Sequence, residues 1–322
     1  MKKKVKILLI VLVILLIIAC IAVAGGYLYF KKKLNKITYK PLDETDLGIE
    51  QTQEEDIDEN IDLGETTKFV IFGSDSRDED DETKGRSDSI IIVCLNHVNK
   101  SITFISIPRD SYVNVPGYGM TKINHAYAYG QEQLSIKTIN TNFGTDLSQY
   151  LTIDFSGMEK CIDRVGGVEV TLSQAEVNEI NRRLGRGNNN VSAPGTQILN
   201  GPQALAHSRN RYVGNDFART QRQRDILVSL INKLKNESIS EVLSVSDYLL
   251  ENITTNIDLT NYKSIIKKLY EEKDQYTQNI TSVMIPEVSY GYDAYINGIY
   301  YYRFPIELAK ADFKKYYYNT AQ

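Results

Sequence analysis

The sequence RSDSIIIVCLNHVNKSITFISIPRD fills residues 86–110. Two apolar runs, residues 90–95 and 101–107, flank a polar link from His97 to Lys100. Short runs rich in β-branched residues joined by such a link read as a β-hairpin. A similar run, Phe69-Val70-Ile71-Phe72, precedes them and ends at Gly73-Ser74-Asp75-Ser76-Arg77. All three runs are near-continuously apolar, as expected of strands covered on both faces. The fold expected is therefore α/β, a sheet with helices on each side. Asp75 follows the first strand, Asp88 precedes the second, and Arg109 and Asp110 follow the third. If the second and third strands pair antiparallel, Asp75, Asp88 and Arg109 share one sheet edge, where α/β proteins usually place ligands. Two carboxylates beside guanidinium groups make either ion pairs or a metal-plus-phosphate site. A hard cation such as Mg²⁺ takes one or two carboxylates and leaves other positions to water and phosphate oxygens.

The second informative stretch is RNRYVGNDFARTQRQR, residues 209–224, with five arginines and no lysine. Arginine is always charged and offers five donors in a planar fork suited to phosphate and carboxylate. A helix starts here, with Asn215 or Asp216 as N-cap. One helical face reads Asp216, Arg219, Gln223, Leu227, Leu230, Ile231, Leu234. From Leu227 onward this is a core-facing stripe. The first two turns carry a carboxylate, a guanidinium and an amide on that inward face. Buried charge is costly unless paired, so these turns are expected to face a polar pocket; the alternative is a salt-bridged or solvent-facing helix end.

Elsewhere the chain is ordinary. It has 322 residues, 42% hydrophobic and 24% charged, enough to bury a core. A net charge of −4 argues against a protein that coats nucleic acid, and no basic helix or helix-turn-helix is evident. Cys94 and Cys161 lie in apolar contexts without metal-binding spacing and are expected in the core. Lys2, Lys3, Lys4 and Lys6 precede an uncharged run, residues 7–30, long enough to span a bilayer. It is read as an uncleaved anchor rather than a signal peptide ending near Ala22-Val23-Ala24 or a lipoprotein box before Cys20, because it continues past both. Export of the large C-terminal part is expected. Residues 1–36 are thus taken as cytoplasmic tail and anchor, the acidic residues 37–67 as an extended spacer, and residues 68–322 as the functional domain. His125, lacking a His or Cys partner in the sequence, is expected as a hydrogen-bonded helix residue. Helices are expected near residues 122–127, 132–142, 156–164, 173–184, 225–235, 261–271 and 305–318, with Ser173 and Glu176 as a capping box. Further strands are expected at residues 151–155, 168–171 and 282–285.

GSDSR at 73–77, RSDSI at 86–90, IPRDS at 107–111, KINHAYAYG at 122–130 and the array from Arg209 to Gln223 occur in one order. Together they resemble the LytR-CpsA-Psr family of Gram-positive cell-wall proteins, over roughly residues 68–230 plus the anchor. Gln131 departs from the pattern, which usually has a second glycine after Gly130. The resemblance implies a central mixed sheet between two helical layers, preceded by a transmembrane helix, with the domain outside the cell membrane. It implies a phosphotransferase that moves a glycopolymer, such as teichoic acid or capsule, from a polyprenyl-pyrophosphate carrier to peptidoglycan. By motif, Asp75 and Asp88 would hold Mg²⁺, with Mn²⁺ as alternative. Arg86, Arg109, Arg209, Arg211, Arg219 and Gln223 would bind the pyrophosphate, with Lys122 added and Asp216 orienting the arginines. Deprotonation of the acceptor hydroxyl would fall to Asp75, Asp110 or a nearby arginine. The prenyl tail needs an apolar slot; Leu134, Ile136 and Ile139 are candidates, although core packing is the default for each. A hydrolase acting on the same lipid and a non-enzymatic lipid-binding or regulatory protein are the other expectations.

Overall fold

Strand β1 (Thr38–Tyr39) is followed by β2 (Thr66–Ser74), β3 (Ser87–Asn96) and β4 (Ser101–Ser106). Next come a small hairpin, β5 (Tyr112–Val115) with β6 (Gly119–Lys122), helix α1 (Asn124–Phe143) and strand β7 (Tyr150–Asp154). Helix α2 (Phe155–Arg164), strand β8 (Val168–Leu172), helix α3 (Gln174–Leu184) and strand β9 (Gly195–Leu199) precede α4 (Gly201–Ser208), α5 (Asp216–Lys235) and α6 (Ile239–Leu250). The chain closes with β10 (Ile253–Thr255), α7 (Tyr262–Glu271), α8 (Lys273–Gln278), β11 (Ile280–Met284), β12 (Tyr292–Ile296), β13 (Ile299–Arg303) and α9 (Ile306–Tyr317). The structure, a computed structural model, describes residues 38–49, 65–74, 85–185, 187 and 190–318. The apolar run at residues 7–30, Cys20 and Asp75 lie outside them.

The expected hairpin forms: β3 pairs antiparallel with β4, and β2 pairs antiparallel with β3. Strand β7 joins β2 in parallel, and β11 joins β4 in parallel. The sheet is therefore mixed, in the order β1-β10-β7-β2-β3-β4-β11. Both of its faces are covered, which explains the unbroken apolar strands. Val70, Phe72, Ile90, Ile92 and Ile105 pack against Tyr127, Ile136, Ile139 and Phe143 of α1 and Phe313 of α9. On the other face Ile91, Val93 and Phe104 meet Leu227 and Ile231 of α5, Leu269 of α7 and Tyr276 of α8. A satellite core joins α2, α3, α4 and α5 to the β8–β9 hairpin. Cys94 and Cys161 are buried, unpaired core residues.

One expectation changes and two hold. Part of the acidic spacer is folded: Leu47 is buried in the main core, its carbonyl accepts from Asn140 at 2.9 Å, and Gln133 binds the Asp43 and Asp46 carbonyls. Leu47, Leu42 at the edge of the core, the Lys40–Glu132 and Lys137–Asp46 ion pairs and these hydrogen bonds dock residues 39–49, and the compact unit begins at Tyr39. Ile136 and Ile139 are fully buried against the sheet, as core packing predicts, and line no slot. The two helical runs expected at 122–127 and 132–142 are both present within α1, separated where Gly130 (φ −154°) and Gln131 (φ 53°, ψ −144°) leave helical geometry.

Candidate active site

The loop after β4 carries Arg109 and Asp110 and is clamped on both sides. Asn124 N–H at the start of α1 donates to Arg109 O at 3.2 Å, and Tyr302 N–H on β13 donates to Asp110 O at 2.9 Å. Ile123 N–H donates to Ser111 O at 2.9 Å. Held this way, Arg109 reaches the Asp88 carboxylate with Nη1 and Asp110 with Nε at 3.3 Å. Lys122 takes the other Asp110 oxygen at 2.6 Å. Arg211 takes the second Asp88 oxygen at 3.2 Å. Strand pairing thus delivers Asp88 and Arg109 to one edge, as expected. Burial alone would push Asp88 up, but Arg109 and Arg211 outweigh it and hold its carboxyl below the usual range.

Asn215 caps α5 by accepting from Ala218 N at 3.1 Å, which puts Asp216 in the first turn and Arg219 beneath it. Arg219 is 2% exposed and binds Asp216 at 2.9 Å through Nη2. Its Nε and Nη1 have no hydrogen-bond partner among the described residues. Burial lowers the Arg219 pKa to about 10, with the Arg109 and Arg211 charges adding to the effect against Asp216. Burial also raises Asp216, the arginines opposing. A desolvated guanidinium with two N–H groups to spare, beside two further arginines and near a helix N-terminus, is arranged to accept a multivalent anion.

The loop before α5 is shaped by Asn210, which is fully buried. Its side-chain oxygen accepts from Tyr212 N–H and Val213 N–H at 3.0 Å each, turning the chain so that Arg209 and Arg211 diverge. Arg211 goes to Asp88, while Arg209 lies over the Phe155 ring at 4.3 Å. Arg222 fixes this loop from below: Nε binds Glu176 at 2.8 Å, Nη1 the Asn210 carbonyl at 3.2 Å and Nη2 the Val213 carbonyl at 2.6 Å. Asn210, Glu176 and Arg222 are absent from the residues expected by sequence. A buried Asn between two arginines, and a fourth arginine on the far helix face, were the available signals.

Beside Arg209 opens a narrow apolar slot between the sheet and the helices. Ile71, Ile91, Phe155, Met158, Ile226 and Leu227 are among its walls, and Gln223 and Ser208 stand in its lining. It lies on the opposite face of the sheet from Ile136 and Ile139. Gln223 is thus brought to the slot and not into the ion-pair cluster. Arg86 is exposed; its charge joins burial in lowering the His125 pKa, which places it on the Lys122 side. His125 itself bonds Thr121 Oγ1 at 2.8 Å, the structural part expected of it. Asp110 has both oxygens engaged by cations, Arg109 on one and Lys122 on the other.

A family model for LytR_cpsA_psr matches residues 27–316. The polyisoprenyl-teichoic acid–peptidoglycan teichoic acid transferase TagU of Bacillus mycoides is 32% identical over 307 residues, covering 91% of each chain. A solved structure of TagT bound to LIIa-WTA superposes with a TM-score of 0.68 at 27% identity, over 83% of this chain and 94% of that one. A second, LytR-CPS2A-psr family protein YwtF (TagT) with bound octaprenyl pyrophosphate lipid, gives 0.64 at 25% identity, over 86% and 98%. With the ordered motifs, the mixed sheet and the match over most of its length, the chain belongs to the LytR_cpsA_psr family.

Proposed function

We propose that this protein transfers a glycopolymer from a polyprenyl-pyrophosphate carrier to peptidoglycan on the outer side of the cell membrane, releasing polyprenyl phosphate. The observation that carries the proposal is the buried Arg219, with two unpartnered N–H groups, standing beside Arg109 and Arg211 next to an apolar slot. That combination suits a pyrophosphate on a prenyl chain. The slot takes the first isoprene units, Arg209 and Gln223 stand at its mouth, and the arginines neutralise the two phosphates. The curated relative named for this reaction and the neighbour holding octaprenyl pyrophosphate support the same assignment.

Phosphoryl transfer asks the protein mainly for position and charge neutralisation. The acceptor hydroxyl, giving up its proton to Asp75 or to solvent, forms a bond to the phosphorus that bears the glycan, and the bond from that phosphorus to the bridging oxygen breaks. The bridging oxygen leaves on polyprenyl phosphate with its electron pair, stabilised by Arg109, Arg211 and Arg219. Asp216 holds Arg219 in place, and Asp110 does the same for Arg109 and Lys122. The oxygens of Asp88, here taken by Arg109 and Arg211, are hard and anionic, the donor type a divalent ion takes. With Asp75, Asp88 would hold Mg²⁺ or Mn²⁺, which would supply further neutralisation of phosphate oxygens. Residues 7–30 would anchor the chain where the lipid is presented.

The test is transfer by the full-length chain in detergent, with a polyprenyl-pyrophosphate saccharide, a peptidoglycan oligomer and Mg²⁺, read by mass spectrometry. A phosphodiester-linked conjugate that Arg109→Ala and Asp75→Ala both abolish is the expected result. Free saccharide phosphate without conjugate would support hydrolysis instead, and lipid binding without turnover would support a regulatory protein.

A further inference from the structure

The hairpin β12–β13 lies outside the expected motifs, yet it is built into the site. Tyr302 N–H holds the Asp110 carbonyl, and Ser111 bridges Tyr302 in parallel. Register puts Tyr295 opposite Tyr300 and Asp293 opposite Tyr302, so these four side chains share one face. That face is graded. Tyr302 is 2% exposed and packs edge-on against Phe217, next to Asp216, at 4.7 Å. Tyr300 is half-buried and meets Tyr295 edge-on at 5.7 Å. Tyr295 is 74% exposed and marks the outer end.

Tyr300 also reaches the ionic cluster. The Lys122 ammonium lies 5.8 Å from its ring centroid, and its hydroxyl donates to Asp293 at 2.8 Å. Burial and the Asp293 contact raise the Tyr300 pKa, and the Asp110 and Asp216 carboxylates add to the rise. The phenol is therefore neutral at ordinary pH and lies within the field of the site.

The side from which this ladder approaches is informative. Contacts run from Arg211 through Asp88, Arg109 and Asp110 to Lys122 and Tyr300, and Arg209, two residues before Arg211, lies over Phe155 in the wall of the apolar slot. Slot and ladder occupy opposite ends of that chain, on the β7–β2 side and the β4 side of the sheet edge. In a displacement at phosphorus, the attacking and leaving oxygens stand roughly in line. A leaving prenyl phosphate seated in the slot therefore places the attacking hydroxyl at the far end, beside Tyr300. A sugar presents C–H groups from its ring face and hydroxyls from its edge. An aromatic face, negative at its centre, takes the first, and a carboxylate and an ammonium take the second.

We propose that the β12–β13 face carrying Tyr295, Tyr300 and Asp293, with Lys122 at its inner end, is the subsite for the acceptor glycan. Tyr295 stacks on an outer sugar, and Tyr300 and Lys122 position the sugar whose hydroxyl attacks. This assignment rests on the transferase proposal, so its first test does not require turnover.

Binding of an uncrosslinked peptidoglycan oligomer to the full-length chain, without donor lipid, is measured by titration calorimetry. Tyr295→Ala and Tyr300→Ala are each expected to weaken it about five- to tenfold, while Tyr295→Phe stays near wild type. Tyr295 is exposed, so its removal leaves folding intact, which a thermal melt verifies. Absence of wild-type binding, or an affinity equal to wild type in both alanine variants, overturns the subsite. In the transfer assay the same substitutions are expected to raise KM for the acceptor and leave KM for the lipid donor unchanged. A rise confined to the donor would assign the face to the donor glycan and overturn the proposal. Normal oligomer binding that the alanine variants lose, together with no transfer by wild type, would sink the transferase assignment and leave the glycan subsite standing.

Discussion

Arg219 and Arg222 leave α5 three residues apart, just under one turn, and both are buried. Arg222 spends its donors on Glu176 and on the carbonyls of Asn210 and Val213, all within the protein. Arg219 has one carboxylate, Asp216, and two N–H groups without a partner among the described residues. Arg224, on the same helix, resembles Arg222 more closely: Nε binds Ser282 at 2.8 Å, Nη2 binds Gln221, and only Nη1 lacks a partner among the described residues. A saturated buried guanidinium holds a loop. An unsaturated one among other cations, with burial working against its charge, is costly to the fold and is explained by an anion it receives.

That contrast can be broken most sharply at Arg222. Arg222→Ala removes the donor to one oxygen of the half-buried Glu176 carboxylate, whose other oxygen keeps Ser173, and to two loop carbonyls, and should cost about 1–3 kcal/mol in denaturant unfolding. Arg219→Met removes a desolvated charge but also the partner of Asp216, so the two effects oppose and its loss of stability should be smaller than that of Arg222→Ala. In transfer assays Arg219→Met should lose about 10²–10³-fold in rate. Equal stability losses in the two variants would erase the distinction.

A smaller effect is expected from His207, beside Glu176 and Arg222. Burial, with Arg222 adding and Glu176 opposing, depresses its pKa from an ordinary 6.5 to about 4. The folded state therefore binds fewer protons than the unfolded chain between these values. Stability from this group is full above about pH 6.5 and is lost as pH falls toward 4, by up to about 3 kcal/mol. His207→Gln should flatten that part of the unfolding profile, and an unchanged slope would contradict the assignment. The least effect is expected at Gln131, whose φ of 53° and ψ of −144° fall in a region that suits glycine. Gln131→Gly should raise stability by about 0.5–1 kcal/mol in thermal unfolding, restoring the glycine usual at this turn.

The strands β2, β3 and β4 were legible because their residues are apolar without a break, and the polar turn at His97 to Lys100 sets their pairing. The inward face from Asp216 to Leu234 was legible too, since helical spacing alone separates its polar turns from its core-facing ones. Less legible were partners supplied by distant segments. Nothing local to Arg222 says that Glu176 will satisfy it, and nothing local to Leu47 says that α1 will bury it. The β12–β13 hairpin is a different case. Asn297-Gly298, both at positive φ (51° and 76°), is the dipeptide that favours a two-residue hairpin turn, and it lies between YDAYI and IYYYR. The local signal for it was present, but its position against Asp110 was not written there. Gln223 was read correctly as inward-facing, yet the slot it lines depends on where α2 and α4 come to rest.

The most direct measurement is the affinity of the full-length chain for polyprenyl pyrophosphate and polyprenyl monophosphate, in wild type and Arg219→Met. Two spare N–H groups on a buried arginine predict a preference for the pyrophosphate that falls about hundredfold in the variant, with monophosphate binding little changed. Equal affinity for both lipids in wild type, unaltered by the substitution, would contradict the assignment of Arg109, Arg211 and Arg219 as the pyrophosphate site.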